Sequence, residues 1–265
     1  MATARVNGVE LCHERVGQGP RLLFISGTGG DLRIRPNALD GPLPKAFDML
    51  AYDQRGLGRS EKPDVPCCMA DYADDAAALM DHVGWASAKV IGVSFGGMVA
   101  QELAIRHPGK VERLVLACTS PGGAGGASFP FHEIEHLRGE ARARHLIPIS
   151  DTRRDAAWQA ANAALYAEIV AQVAAAPYAD EPGHARGAWR QLEARSRHDA
   201  WDRLDQIRCP TMIAAGRYDG VATPQNQHNL ASRIAGSELR FFEGGHMFMI
   251  QDRSAAPAMI EFLTR

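Results

Sequence analysis

Short runs of apolar residues recur along the chain and predict the strands of a sheet. They cover residues 9–16, 22–26, 49–52, 89–93, 111–118, 211–215 and 238–242, and most are rich in Val, Ile, Leu or Phe. Several are apolar at every position, which is typical of strands buried on both faces of a mostly parallel sheet. Segments with helical periodicity lie between them, at residues 70–83, 95–107, 225–234 and 255–263. This alternation predicts a doubly wound α/β sheet.

The alternation of strand and helix is interrupted between residues 122 and 204. The interruption begins with the glycine-rich PGGAGGAS, is alanine-rich with a helical pattern, and holds three of the four tryptophans. We interpret residues 122–204 as an inserted helical cap, and residues 1–121 and 205–265 as the α/β core. The cap is expected over the carboxyl ends of the strands, where open α/β sheets bind their ligands. PGGAGGAS lacks the Lys-Ser/Thr ending of a phosphate-binding loop, so we expect it to be the lead-in to the cap.

Composition and charge restrict the classes of partner. The chain has 265 residues, of which 46% are hydrophobic and 23% charged, as in ordinary globular domains. A net charge of −2 gives no electrostatic reason to bind nucleic acid or an anionic membrane, so we expect a small-molecule substrate. The amino-terminal MATARVNGVE has no signal-peptide pattern and no long apolar run occurs, which predicts a soluble, cytoplasmic protein. Five cysteines without metal-ligand spacing are expected to be reduced thiols and predict no metal site.

The segment GVSFG at residues 92–96 carries the strongest chemical signal. Ser94 lies between the predicted strand 89–93 and the predicted helix 95–107, so the G-x-S-x-G pattern falls at the strand-to-helix turn known as a nucleophile elbow. Such a turn strains the backbone of the serine and needs glycines where the chain passes close. A plain helix N-cap is the alternative, but it does not explain glycines on both sides. We therefore predict that Ser94 is a catalytic nucleophile.

A serine nucleophile needs a base, and the base needs an orienting acid. His246 lies on the glycine-rich loop FFEGGHMF after the last predicted strand, whereas His107 fits a helix end and the cap histidines fit solvated or pocket-wall positions. Asp219, in AAGRYDGVATP, follows the strand at 211–215, although the fragment also fits an Asp-Gly turn. The chain order Ser94, Asp219, His246 is the order found in α/β-hydrolases. We predict these three residues as the catalytic triad.

Backbone N–H groups at two places are candidates for an oxyanion hole. One belongs to Phe95, directly after the nucleophile, and the other to the loop SGTGG after the strand at 22–26. In that loop we choose Thr28, with Gly29 as the alternative, while a glycine turn without a catalytic role would also explain the sequence. Each such donor typically lowers a reaction barrier by about 3 to 4 kcal/mol.

These motifs resemble the α/β-hydrolase family over nearly the whole chain. YDQRGLGRS at residues 52–60 is similar to the family's D-x-R-G-x-G-x-S loop, and residues 92–116 resemble its elbow, helix and next strand. The resemblance implies a Ser94, Asp219, His246 triad, a structural role for Arg55 and the loop glycines, a lid after the sixth strand, and no cofactor. Within the family the chain looks most like small esterases, enol-lactonases and carbon–carbon bond hydrolases.

Departures from the family pattern narrow the predicted activity. Ser26-Gly27 stands where the family often has His-Gly, the glycine-proline loop of proline iminopeptidases is absent, and a serine at the elbow disfavours relatives that need aspartate there. We therefore predict hydrolysis of a small-to-medium carboxylic ester or lactone through an acyl-enzyme. The alternatives are a carbon–carbon bond hydrolase of a diketone-type acid and a non-catalytic ligand receptor on the same scaffold. An anionic substrate would require an arginine in the pocket, and the cap has too many arginines for the sequence to choose among.

Overall fold

A single eight-stranded sheet forms the centre of the protein. The computed structural model describes residues 1–265. The strands have the spatial order β1-β2-β4-β3-β5-β6-β7-β8; β1 and β2 are antiparallel to their neighbours and the other six strands are parallel. Their bounds are β1 Ala2–Val6, β2 Val9–Val16, β3 Arg21–Ile25, β4 Asp48–Tyr52, β5 Ala88–Val93, β6 Val111–Ala117, β7 Thr211–Gly216 and β8 Glu238–Phe242.

Ten α-helices accompany the sheet. They are α1 Leu43–Ala46, α2 Met69–His82, α3 Phe95–Arg106, α4 Gly139–Ser150, α5 Ala156–Ala161, α6 Ala163–Ala174, α7 His184–Ser196, α8 Pro224–Arg233, α9 Phe248–Gln251 and α10 Ala255–Thr264. Helices α2, α3 and α8 cover one face of the sheet, and α1, α9 and α10 cover the other. None of the helices is long and apolar enough to cross a bilayer.

The apolar strands are buried on both faces, as their sequences predict. In β5, Val90 faces the core shared with α2 and α3, whereas its neighbour Ile91 faces the core shared with α10. In β3, Leu23 likewise faces the core shared with α2 and α3, and Leu22 faces the core shared with α10. Successive side chains of a strand point to opposite faces, so a continuous apolar run fills both cores at once. The predicted doubly wound α/β fold is confirmed.

The predicted strands and helices end within one residue of the observed ones, with two informative differences. Strand β1 was not predicted, because only two of its five residues, Ala4 and Val6, are buried and it forms only the sheet's antiparallel edge. Strand β6 ends at Ala117 instead of Cys118, because Cys118 has a φ of 42° and leaves the extended conformation.

The segment between β6 and β7, residues 118–210, contains helices α4 to α7 and no strand. Near its two ends, Gly122 and Asp199 form an isolated bridge, and the N–H of Ala200 donates to Pro121 O at 2.9 Å. The predicted helical character of this region is therefore correct. Its division into core and cap at residues 122 and 204 stays a prediction.

Candidate active site

Ser94 lies at a strained turn between β5 and α3. Its φ and ψ are 54° and −113°, a region that non-glycine residues rarely occupy. The turn is held from both sides, because Ser94 N donates to Ala117 O and Thr119 Oγ1 donates to Ser94 O, each at 2.8 Å. The end of β6 thus fixes the backbone that presents the serine hydroxyl.

The two glycines of GVSFG are required by close backbone contacts. A Cβ on Gly96 would lie 2.1 Å from Ile25 O, and a Cβ on Gly92 would lie 2.3 Å from Gly96 O. Both distances are well inside van der Waals contact. The absence of a side chain at residue 96 therefore allows the loop after β3 to lie directly against the elbow.

The hydroxyl of Ser94 is in hydrogen-bond contact with a histidine and, through it, with an aspartate. Ser94 Oγ is 3.0 Å from His246 Nε2, and His246 Nδ1 is 2.8 Å from Asp219 Oδ2. The other carboxylate oxygen, Asp219 Oδ1, accepts from the N–H groups of Val221 and Ala222 at 2.7 and 3.0 Å. These two bonds orient the carboxylate so that its second oxygen faces the imidazole.

The order of the strands explains why residues so far apart in sequence meet. Ser94, Asp219 and His246 follow β5, β7 and β8, which are parallel and therefore end at the same edge of the sheet. The loop carrying His246 is also tied to the end of α4, since His246 N donates to Ser150 O at 2.6 Å. The backbone of the loop that carries His246 is thus held by the sheet on one side and by the β6–β7 segment on the other.

The loop after β3 lies beside Ser94 and leaves the N–H group of Thr28 free. Gly29 N donates to Gln191 Oε1 at 2.8 Å and Gly30 N to Gly27 O at 3.2 Å, whereas Thr28 N has no acceptor in the chain. Phe95 N, at the start of α3, likewise has none, as expected for the first N–H of a helix. Of the two candidates in this loop, Thr28 and not Gly29 therefore retains a donor for a ligand.

Helix α7 places three residues, four positions apart, against the site. Gly187 packs directly against Gly56, because a Cβ on Gly187 would lie only 1.8 Å from Gly56 O. One and two turns on, Gln191 accepts from Gly29 N, and Arg195 Nη1 donates to Thr28 Oγ1 at 2.9 Å. Residues at this spacing share one face of a helix. The close contact between the two glycines thus brings Gln191 and Arg195 to the edge of the sheet at which Ser94 lies.

Arg195 reaches Ser94 itself. Its Nη1 is 3.5 Å from Ser94 Oγ, and its Nη2 donates to Ser128 Oγ at 2.8 Å. Burial lowers the pKa of Arg195 from its ordinary value to about 10, so the side chain stays protonated at neutral pH. A positive charge therefore lies beside the serine.

His198, two residues after α7, is buried close to Arg195 with both ring nitrogens unpaired. Burial lowers the pKa of His198 from 6.5 to about 4. The imidazole is therefore neutral at pH 7 and remains so in mild acid.

Acidification from pH 7 to 4.5 is expected to destabilise the protein partly through His198. In the unfolded chain its pKa returns to about 6.5, so between these pH values the unfolded state takes up a proton that the folded state does not, and the free energy of unfolding falls. About 2 to 3 kcal/mol should be lost through this residue by pH 4.5. Urea unfolding at both pH values should show a smaller loss in His198→Gln. The exposed His136, changed to Gln, is the matched control, and equal losses in wild type and His198→Gln would contradict the prediction.

One set of possible metal ligands is present at the site. Cys118, Asp219 and His246 have ligand atoms within 4.8 Å of one another. However, the carboxylate and imidazole are hydrogen-bonded to each other, and burial raises the pKa of the Cys118 thiol well above its ordinary value. Because a metal needs the thiolate, this environment disfavours metal binding. The cluster fits a proton-transfer site better.

The volume of a cavity does not identify the candidate site. The largest cavity, about 360 Å³, lies among α4, α6 and α7 and is lined by apolar residues such as Leu146, Trp189 and Leu192. No member of the Ser94, His246, Asp219 group lines it. A smaller cavity of about 60 Å³ touches Arg195, Ser128 and His198. We place the candidate site at Ser94 because hydrogen-bonded reactive groups meet there.

All five predicted site residues thus lie at one edge of the sheet: His246 contacts both Ser94 and Asp219, Phe95 follows the serine, and Thr28 lies in the adjoining loop. Gln191, Arg195 and Ser128 were not predicted from the sequence. The spacing of four between Gly187, Gln191 and Arg195 within the predicted helical cap was the available signal for Gln191 and Arg195, but it can be interpreted only once the position of that segment over the site is known.

Comparison with known proteins places the chain in a family. Residues 20–252 match the model of the alpha/beta hydrolase fold family. A poly(3-hydroxyalkanoate) depolymerase of Ectopseudomonas oleovorans is 29% identical over 91% of this chain and 83% of its own length. A 2-hydroxymuconate semialdehyde hydrolase of Pseudomonas sp. is 29% identical over 92% of this chain and 86% of its own length. The crystal structure of the enol-lactonase from Burkholderia xenovorans is 28% identical, with a TM-score of 0.80 over the full length of both chains. The protein is therefore a hydrolase that belongs to the α/β-hydrolase family.

Proposed function

We propose that this protein hydrolyses a small-to-medium carboxylic ester or lactone, with Ser94 as nucleophile, His246 as general base and Asp219 as the orienting acid. The observation that supports this most strongly is the unbroken chain of contacts, 3.0 Å from Ser94 Oγ to His246 Nε2 and 2.8 Å from His246 Nδ1 to Asp219 Oδ2. Both distances suit proton transfer through the imidazole.

In the first half of the reaction, His246 Nε2 takes the proton of Ser94 as Oγ attacks the substrate carbonyl. Asp219 accepts a hydrogen bond from Nδ1–H, which fixes the tautomer and stabilises the imidazolium. The N–H groups of Phe95 and Thr28 form the oxyanion hole in this proposal, because neither has an acceptor within the chain. His246 then gives its proton to the leaving alcohol, and an acyl-enzyme remains on Ser94.

In the second half, His246 removes a proton from a water molecule, which attacks the acyl-enzyme; the bond between the acyl carbon and Ser94 Oγ then breaks, His246 returns the proton to Oγ, and the acid leaves. The same groups serve both halves, so no cofactor enters the scheme. We further propose that residues 122–204 act as the cap that encloses the substrate, since α7 supplies side chains to the loop after β3. A cytoplasmic location, suggested by five free cysteines, belongs to the same proposal.

Cleavage of a carbon–carbon bond in a diketone-type acid is the second candidate. It is favoured by the 29% identical relative named 2-hydroxymuconate semialdehyde hydrolase and by the positive charge of Arg195 beside Ser94. The same three residues would serve both reactions.

A neutral fluorophosphonate probe tests the proposed nucleophile. Intact-protein mass spectrometry should show one phosphonyl group on the wild-type protein and none on Ser94→Ala, because the probe reacts only with an activated serine. An unlabelled wild-type protein that still binds small ligands would contradict the proposal and favour a receptor.

A substrate panel separates the candidate reactions. We expect measurable turnover of p-nitrophenyl esters or aliphatic lactones by the wild-type protein. Turnover confined to diketone-type ring-cleavage acids would instead support carbon–carbon bond hydrolysis.

A further inference from the structure

A buried guanidinium without a counter-ion lies beside Ser94. Arg195 is 6% exposed, and its hydrogen-bond partners are the hydroxyl groups of Thr28, Ser128 and, at 3.5 Å, Ser94. The ring of Phe131 lies 4.7 Å from its Cζ. None of these groups carries a negative charge. Burying a charge without an ionic partner is strongly unfavourable, so this residue is poised for an anion that arrives from outside.

The other well-buried arginine is neutralised in place. Arg55 is 8% exposed and forms two hydrogen bonds of 2.5 Å with the buried carboxylate of Asp75. Arg195 has no such partner, and the nearby carboxylate of Asp219 has both oxygens engaged by His246, Val221 and Ala222.

The surroundings of Arg195 offer further unpaired polar atoms. The cavity of about 60 Å³ next to it is lined by polar residues, among them Ser120, Ser128 and His198, and by apolar residues such as Met98 and Phe129. Arg195 Nε, Ser120 Oγ and both ring nitrogens of His198 are buried there without a hydrogen-bond partner. Buried polar atoms are normally paired. This volume accommodates a group the size of a carboxylate or a pair of water molecules.

We propose that Arg195, with the hydroxyl groups of Thr28 and Ser128, binds a carboxylate carried by the substrate. The inference rests on the proposed function and names its substrate class: the ester or lactone is an anion. A planar guanidinium can donate two parallel hydrogen bonds to a carboxylate, and in a buried site such bonds are short and strong.

The carboxylate belongs to the acyl part of the substrate. The leaving group must lie against His246, because that imidazole gives it a proton. The cavity at Arg195 extends toward Ser128 and His198, and neither His246 and its loop nor Ser94 and Thr28 line it. Since Arg195 Nη1 is 3.5 Å from Ser94 Oγ, bond lengths near 1.5 Å place the carboxylate about two to four carbon atoms from the reacting carbonyl.

A pair of esters that differ only in charge tests the proposal. The probes are the 4-nitrophenyl monoester of adipic acid, which bears a carboxylate, and its neutral methyl ester. We expect wild type to prefer the acid, and Arg195→Gln to lower kcat/KM for the acid by about 10- to 100-fold while changing the neutral ester less than about threefold. Arg197→Gln is the matched control on the exposed side of the same helix end, and it should leave both values unchanged. Arg195→Lys should restore part of the preference.

Two kinetic outcomes would overturn the carboxylate subsite. Equal losses on both esters in Arg195→Gln would show that the guanidinium acts on the oxyanion or on folding. A wild-type protein with no preference for the acid would show that no subsite for the carboxylate exists.

Thermal unfolding with monomethyl adipate provides a readout that does not depend on turnover. A ligand that binds only the folded state raises Tm, so we expect a rise for wild type and Arg197→Gln and none for Arg195→Gln. If wild type hydrolyses neither ester and is not labelled by the fluorophosphonate, the proposed function fails. The Tm shift then decides the anion site alone: a rise lost in Arg195→Gln supports it, and no rise in wild type overturns it.

Discussion

Replacing Ser94 with alanine should lower kcat on the best ester or lactone substrate by about 10⁴-fold or more. In the proposed mechanism the substitution removes the only atom that forms the acyl-enzyme, whereas the N–H groups of Phe95 and Thr28 remain. Loss of a serine nucleophile in comparable sites leaves only the residual rate due to oxyanion stabilisation and binding. The measurement is single-substrate kinetics on protein free of wild-type contamination.

Folding should survive this substitution. Alanine keeps the Cβ of serine, so the strain of φ 54° is unchanged, and the backbone bonds from Ser94 N to Ala117 O and from Thr119 Oγ1 to Ser94 O remain. Urea unfolding should therefore be close to that of wild type. Ser232→Ala, on the exposed side of α8, is the control for activity and should retain it fully. More than about 1% of wild-type kcat in Ser94→Ala would show that another group attacks the carbonyl.

The elbow could be predicted from sequence because its determinants are local. A buried strand, a G-x-S-x-G turn and a helix follow one another within residues 88–106. The contacts that require the glycines are made to Ile25 and within the elbow itself. His246 and Asp219 could also be predicted, because parallel strands bring the residues that follow them to one edge.

Arg195 could not be chosen from sequence because its role depends on tertiary position. The segment between β6 and β7 contains many arginines, and most of them form exposed ion pairs, such as Arg144 with Glu140. Gly187 packs closely against Gly56, and this contact orients the face of α7 that carries Arg195 toward Ser94. Such a contact between a helix and a loop distant in sequence cannot be recognised from the sequence of either segment alone.

Breaking the buried ion pair beneath the site is expected to have the largest effect on stability. Asp75 on α2 accepts two hydrogen bonds of 2.5 Å from Arg55 and one of 2.9 Å from Asn7 Nδ2. In Asp75→Leu the guanidinium of Arg55 would be left buried without a partner, which typically costs about 3 to 5 kcal/mol. Urea unfolding should show this loss. Activity should fall as well, because Gln54, next to Arg55, donates to Ser26 O at the start of the loop that carries Thr28.

A double substitution separates the loss of the pair from the loss of shape. Arg55→Met combined with Asp75→Leu removes both charges, so most of the stability lost in Asp75→Leu should return. Glu140→Ala, which breaks the exposed pair with Arg144, should change the free energy of unfolding by no more than about 0.5 kcal/mol. If Asp75→Leu were as mild as Glu140→Ala, water would have to reach Arg55 in the folded protein, and the loop at residues 52–60 would not be the rigid support that its buried ion pair implies.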